Sequence, residues 1–253
     1  MKKNPLQKIW EIVVKLRSPE GCPWDRAQTN DTIKFDIIEE AYEVLDAIES
    51  KSKEALKEEL GDLLFLTLLH IRIGEEEGKF TLKEVAENVV QKMKKRHPHV
   101  FGKKKYKREE HLSFWEKTKK GGVLNHISLS MPALLLAQRV GEKAKRVGFD
   151  WIRKEDVVEK VKEELNELLN TMNSENKEKV FEEFGDLLFT LVNLSRHLGI
   201  ESEEALREAT RKFINRFKRI EEMAKKEGKA LEEMSLEEMD SLWDKTKNEG
   251  EEK

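Results

Sequence analysis

Cysteine is almost absent from this chain. Cys22 stands alone among 253 residues, which excludes an intramolecular disulfide and a multi-cysteine zinc cage. A reducing compartment fits that usage. Only 5 prolines and 13 glycines punctuate the sequence, too few for a fold built on strands and tight turns. Long apolar runs are missing as well. The N-terminal stretch MKKNPLQKIWEIVVKLRSPEG is broken by Glu11, Lys15 and Arg17, so it reads as neither signal peptide nor membrane span, and a soluble cytoplasmic protein is expected. No excess of one charge exists either. The formal net charge is −3, so global charge does not demand nucleic acid as a partner.

What the chain has in abundance is charge of both signs, 39% of residues against 7% aromatics. Such a composition can belong to a disordered chain. Here the apolar residues recur at helical spacing instead. Leu60, Leu63, Leu64, Thr67, Leu68 and Ile71 fall on one stripe, and Leu187, Leu188, Leu191 and Leu194 on another. Abundant Glu, Lys and Leu favour long amphipathic helices. The Lys/Glu richness also resembles heat-adapted proteins, whose surface ion-pair networks gain value with temperature. Helices are expected over 4–17, 30–49, 53–77, 81–96, 109–119, 132–147, 154–172, 175–198, 202–227 and 235–247. Thr81 with Glu84 and Ser235 with Glu238 fit capping boxes. Gly74 and Gly78 are expected to interrupt or end one helix, and Gly199 its counterpart.

The chain repeats itself. Glu58-Glu59-Leu60-Gly61-Asp62-Leu63-Leu64-Phe65 recurs as Glu182-Glu183-Phe184-Gly185-Asp186-Leu187-Leu188-Phe189, at an offset of 124 residues. Upstream, Glu39, Glu40 and Glu43 recur as Glu163, Glu164 and Glu167 at the same offset. Two matched motifs with a matched separation are far harder to obtain by chance than one acidic tetrad in a Glu-rich chain. Downstream, Lys92 and Arg96 pair with Lys212 and Arg216, and Trp115 and Lys119 with Trp243 and Lys247, at looser spacing. The sequence therefore reads as an all-α protein of two tandem related helical-bundle domains. Their expected bounds are 1–120 and 131–253, joined by a linker over 121–130 with Pro132 opening the next helix. A few helices per half leave apolar stripes to cover, so four-helix-bundle cores completed in a homodimer are expected.

Residues three apart share a helix face. Glu40 and Glu43 point one way, as do Glu59 and Asp62, and Glu164, Glu167, Glu183 and Asp186 repeat the set. If the paired helices are antiparallel neighbours, each half brings four carboxylates together. Such a cluster repels itself, and a hard divalent cation such as Mg²⁺, which prefers oxygen ligands and bridges carboxylates to phosphates, removes the conflict. Among 51 acidic residues a lone Glu-x-x-Glu is ordinarily a solvated helix face. Three features weigh against that here: the pairs sit beside the most apolar helices, the pattern occurs twice, and Gly61 and Gly185 lie inside helices. Glycine there costs about 1 kcal/mol relative to alanine, and close helix approach would explain it.

These residues resemble the all-alpha nucleoside triphosphate pyrophosphohydrolases, specifically the MazG family, whose motif is Glu-x-x-Glu, a spacer, and Glu-x-x-Asp. The resemblance covers almost the full chain. It includes Cys22-Pro23-Trp24-Asp25, Glu39 through Asp46, Glu58 through Phe65, Arg96 through Phe101, Gly148-Phe149-Asp150-Trp151 and the second Gly-Asp-Leu-Leu-Phe. It implies hydrolysis of nucleoside triphosphates between the α and β phosphates, with Mg²⁺ as cofactor and Mn²⁺ as its substitute. It implies metal ligands at Glu164, Glu167, Glu183 and Asp186, with Glu40, Glu43, Glu59 and Asp62 as first-half equivalents. Glu39, Glu40, Glu163 and Glu164 become candidates to orient or deprotonate the attacking water. The nucleotide contacts map onto Lys212, Arg216, Trp243 and Lys247, with Lys92, Arg96, Trp115 and Lys119 as repeat counterparts. Lys160 holds a nucleotide-facing position, and its first-half equivalent is Asp36, a charge reversal. A rival reading is a helical dimer that binds nucleotide for regulation and has lost catalysis.

Residues 92–108 carry nine basic residues and no acidic one. They read as triphosphate attraction, as a solvated loop after a helix, or as nucleic-acid binding; the last is disfavoured because no nucleic-acid fold accompanies them. His97-Pro98-His99 lacks ligands at zinc spacing and reads as a helix stop packed by Val100 and Phe101. Cys22 reads as structural, with Trp24 and Asp25 fixing the start of a helix.

Overall fold

The computed structural model describes residues 4–102, 122–125 and 127–248. The expected helix over 109–119, with Trp115 and Lys119, and the basic run from residue 103 onward lie outside them. Every regular element among the described residues is helical. The chain divides into two compact units, Met1–Trp115 and Glu116–Lys253.

The first unit runs α1 (Pro5–Leu16), α2 (Pro23–Ala27), α3 (Asp36–Glu49), α4 (Lys53–Glu76), α5 (Leu82–Arg96) and α6 (Pro98–Phe101). Asn4 caps α1 by accepting from the Leu6 amide, and Pro5 occupies the first turn, where its missing N–H costs nothing. The turn between α3 and α4 is short, so the two helices pack antiparallel along their length. Helices α1 and α5 cover the other side of α4. Val13, Ile33, Leu68, Leu69, Ile71 and Ile73 form the core, flanked by Trp10, Phe65 and Leu82. The stripe read from sequence is thus buried only at its C-terminal end: Leu68 and Ile71 are core, whereas Leu60 is half exposed.

Several local expectations hold, and several are corrected. Thr81 and Glu84 close a capping box, and Ser235 and Glu238 make the same reciprocal pair. Residues 30–35, expected to be helical, form turns. Thr32 Oγ1 accepts from the Thr29 amide at 2.9 Å and Thr29 Oγ1 from the Thr32 amide at 3.2 Å, a local alternative to the helix that these side chains offer. Gly74 neither ends nor interrupts α4. It lies under the Phe80 ring, where a Cβ would stand 2.4 Å from the ring. The chain instead turns at Gly78, whose φ of +66° suits glycine. His97 stops α5 as expected, its Nδ1 2.8 Å from the Met93 carbonyl. Pro98 then opens the short α6, and Val100 and Phe101 are exposed instead of packing the stop.

The second unit runs α7 (Ala133–Arg146), α8 (Lys154–Thr171), α9 (Lys177–His197), α10 (Ser202–Lys226), a 3₁₀ turn (Leu231–Glu233) and α11 (Leu236–Asn248). Helices α8 and α9 repeat the α3–α4 hairpin, with α7 on α9, and α10 pairs with α11. Val157 and Val192 are buried in the hairpin, while Ile220, Ala224, Met234 and Leu242 form the core of the α10–α11 pair. Gln138 on α7 is buried and accepts from both the amide (2.9 Å) and the hydroxyl (3.1 Å) of Ser202, satisfying donors at the start of α10. Asp150, in the turn before α8, receives a two-pronged hydrogen bond from Arg196 and faces His197 at 3.1 Å.

Candidate functional site

The antiparallel hairpin of each unit turns sequence spacing into a cluster. In the first, carboxylate oxygens of Glu40 and Glu43 on α3 and Glu59 on α4 lie within 4.8 Å of one another; in the second, Glu164, Glu167 and Glu183 do the same. Asp62 and Asp186, the expected fourth members, stand outside these close triads but within electrostatic reach. Glu40 is pushed above the ordinary carboxylate range by burial and then by Glu43, Asp62, Glu59 and Glu39. Glu59 is raised by desolvation, by Glu43, Glu58 and Asp62, and by a hydrogen bond with Glu43. Glu183 is raised by desolvation and by Glu167, Glu182 and Asp186, against an opposing pull from Lys179. One oxygen of Glu40, Oε2, is buried without a hydrogen-bond partner. A buried carboxylate oxygen left bare is costly. An all-oxygen donor set of this charge fits a hard divalent cation.

Glu40 and Glu43 of the first triad line a cavity of about 450 Å³. Asp25, Asp36, Glu39 and Asp62 join them on the acidic part, and Trp24, Ile33, Phe65, Leu66 and Leu69 form the rest. Trp24 and Asp25, read as fixing a helix start, lie in the first turn of α2; Trp24 is 64% exposed and Asp25 buried, and both form part of the wall. The short α2, absent from the helices expected on sequence, presents Trp24 there. The motif was visible in sequence, but its contribution to a cavity depended on Ile33 and α4 arriving from elsewhere in the chain.

The second triad is different. Lys160 reaches Glu163 Oε1 at 2.7 Å and Glu164 Oε1 at 2.9 Å, and those two hydrogen bonds hold its ammonium in the charged form well above the usual lysine range. Glu164 is 6% exposed, so part of its charge is balanced from within the helix.

The expected nucleotide contacts fall on other elements. Arg216 on α10 lies 5.7 Å over the Trp243 ring of α11, and Phe213 meets the same ring at 5.1 Å. A cation and two aromatic faces are thus assembled on the α10–α11 pair. Lys212 is exposed on α10, and Lys247 pairs with Asp244 at 2.9 Å. In the first unit Lys92 is exposed and Arg96 half-buried on α5.

Among the described residues, Gly61 and Gly185 mark no close approach: a Cβ at either would meet none of their atoms within 4 Å. Gly185 sits instead in an exposed apolar stripe with Phe181, 82% exposed, and with Phe184 and Leu188. On the other arm of the same hairpin, α8 exposes Leu165 and Leu169; within the first unit, α3 exposes Ile38 and Tyr42.

Comparison with known proteins gives a consistent outcome. The profile of the MazG nucleotide pyrophosphohydrolase domain matches residues 28–101 and again 153–220. Both triads, Lys92, Arg96, Lys160, Lys212 and Arg216 fall inside these segments; Trp243 and Lys247 fall outside. The chain is 46% identical over 245 residues to the nucleoside triphosphate pyrophosphohydrolase/pyrophosphatase MazG of Thermotoga maritima, covering 95% of each chain. It is 38% identical to the nucleoside triphosphate pyrophosphohydrolase of Escherichia coli K12, covering 96% of this chain and 97% of the other. It is also 44% identical to the uncharacterized protein YabN of Bacillus subtilis, of which it covers 50%.

Proposed function

The chain belongs to the MazG nucleotide pyrophosphohydrolase family, and we propose that it hydrolyses nucleoside triphosphates of broad base and sugar type to nucleoside monophosphate and pyrophosphate. Mg²⁺ is the cofactor in this reading, with Mn²⁺ as a substitute, and nucleotide-pool control or housecleaning is the role. The observation that carries it is the twin carboxylate triad, built at the same place on two repeated helix hairpins.

Glu40, Glu43 and Glu59, with Asp62 beside them, would hold the cation in the first unit; Glu164, Glu167, Glu183 and Asp186 would hold it in the second. When bound, the cation supplies charge neutralisation at the phosphate oxygens and a more acidic water. Glu39 or Glu40, and Glu163 or Glu164, orient the attacking water and take its proton as a P–O bond of the α,β bridge breaks. Lys212 and Arg216 balance charge on the departing pyrophosphate, Arg216 through its planar fork. Trp243 stacks on the base without reading its edges, which suits broad tolerance. No helix among the described residues is long and apolar enough to cross a membrane, which accords with work on a dissolved substrate in the cytoplasm.

The homodimer belongs to the same reading. Its support is the exposed stripe of Phe181, Phe184 and Leu188 around Gly185, where a second helix can approach closely and bury apolar surface. Light scattering is expected to give twice the chain mass; a monomer at all concentrations would remove this part.

The deciding assay is a panel of NTPs and dNTPs with Mg²⁺, scored for pyrophosphate and monophosphate in equal amounts. EDTA is expected to abolish both products, and Mn²⁺ to restore them. Release of orthophosphate instead would overturn the reaction. Inactivity across the panel with either metal would favour the regulatory nucleotide-binding dimer.

A further inference from the structure

We propose that Lys160 is a tethered counter-ion of the C-terminal triad, so that the two triads take a divalent cation under different conditions: the N-terminal one unaided, the C-terminal one together with a polyphosphate. This rests on the metal-holding role given to the triads above.

The two hairpins are matched in their carboxylates and mismatched in the charges around them. Lys160, one turn before Glu164, lies 2.9 Å from Glu164 Oε1 and 2.7 Å from Glu163 Oε1. At the equivalent place in the first unit stands Asp36, lining the cavity with Glu40 and Glu43. Lys179, which acts electrostatically on Glu183, has Ala55 as its equivalent at the 124-residue offset. The substitution pair changes local charge by three units: two from Asp36 to Lys160 and one from Ala55 to Lys179.

The consequence shows in the partners of the two corresponding glutamates. Glu164 has an ammonium against it, whereas Glu40 keeps Oε2 bare. Among the described residues no ammonium is seen against the first triad, so a cation from outside relieves its repulsion most fully. In the second it is partly relieved from within, and an incoming divalent cation must displace the ammonium or sit beside it. A polyphosphate changes that balance. Lysine carries three rotatable donors on a flexible stem, so the freed Nζ can turn from Glu164 to a phosphate oxygen while the cation takes its place. Metal and phosphate then favour each other's binding, a coupling that is reciprocal. The first triad, with Asp36 in that position, lacks this device.

The test is Mn²⁺ binding to the full-length chain without nucleotide, read from loss of the free-Mn²⁺ electron paramagnetic resonance signal. With the first triad silenced by Glu40→Gln and Glu43→Gln, Lys160→Met is expected to tighten Mn²⁺ binding at the second by about ten-fold, a fraction of what one unit charge ~4 Å away can exert. Lys160→Arg, which keeps the charge, is expected to leave binding weak. With the second triad silenced by Glu164→Gln and Glu167→Gln, Asp36→Lys is expected to weaken binding at the first by about ten-fold or more. A lysine that merely orders Glu164 would give unchanged or weaker binding in Lys160→Met, and that result overturns the proposal. Equal affinity of the two triads in the wild type overturns it as well. No Mn²⁺ bound at either triad would instead overturn the metal reading on which it stands.

Discussion

Replacing Glu40 and Glu164 together by glutamine is expected to lower kcat/KM for nucleoside triphosphates by roughly 1000-fold, the scale on which lost electrostatic stabilisation of a transition state registers. Glutamine keeps the shape of the side chain and one carbonyl oxygen. What it removes is charge at Glu164, 6% exposed, and at the half-buried Glu40 with its bare Oε2. Each single variant leaves the other hairpin intact, so the two together apportion turnover between the halves. The measurement is pyrophosphate release by each single variant and by the double variant, at saturating Mg²⁺. Glu40 is crowded by like charge, so neutralising it relieves repulsion in the metal-free protein, while Glu164→Gln keeps an oxygen for the Lys160 ammonium; the helical fold is expected to persist. Full activity in the double variant, or in one that neutralises all eight carboxylates, would remove the mechanism.

The second large effect is on stability and sits away from the triads. Arg196 and Asp150 bury their side chains to 8% and 10% exposure and meet through two parallel hydrogen bonds, the longer 2.8 Å. His197 approaches the same carboxylate at 3.1 Å. This pair ties the turn before α8 to the end of α9, next to Gly141 of α7, where a Cβ would come within 3.0 Å of Arg196 Nε. Arg196→Ala removes the two-pronged partner of this buried carboxylate and leaves His197 against it, a change expected to cost about 3–5 kcal/mol. For a chain of this size that corresponds to a fall in Tm of roughly 10 °C.

The same pair predicts an acid limb. Hydrogen bonding from Arg196, then from His197, with their charges, holds the Asp150 carboxyl at about 2, against 3.8 ordinarily. A carboxylate depressed in the folded state stabilises it above the unfolded value. That contribution, about 2 kcal/mol, is fully present above roughly pH 5 and is lost as pH falls through 4 towards 2. Urea melts of wild type and Asp150→Asn at pH 7 and pH 2.5 check it. The variant is expected to be the less stable at pH 7 and to lose less on acidification. Parallel losses in both proteins would show that other carboxylates set the acid limb.

The helical class, the duplication and the pairing of carboxylates follow from the order of residues alone. Each is local or periodic information. Spacing of three places Glu40 with Glu43 on one face whatever the helix packs against, and Thr81 with Glu84 closes a cap from four consecutive residues. The offset of 124 residues needs no coordinates at all. Only the tertiary structure decided which of these groups meet and what surrounds them. It brought Glu59 to Glu40 and Glu43 and left Asp62 outside the close triad, because a carboxylate's reach depends on the distance and rotation between two helices. It placed Trp24 and Asp25 together in a cavity wall, because Ile33, Phe65 and Leu69 arrive beside them from elsewhere in the chain. It left Gly61 and Gly185 facing open space, where the sequence had suggested a neighbouring helix. The charge at residue 160 was legible from the start. That its ammonium rests on Glu164, while Glu40 has a bare oxygen, was not: side-chain partners are set by burial and by competition among neighbours, and neither is written in the order of the residues.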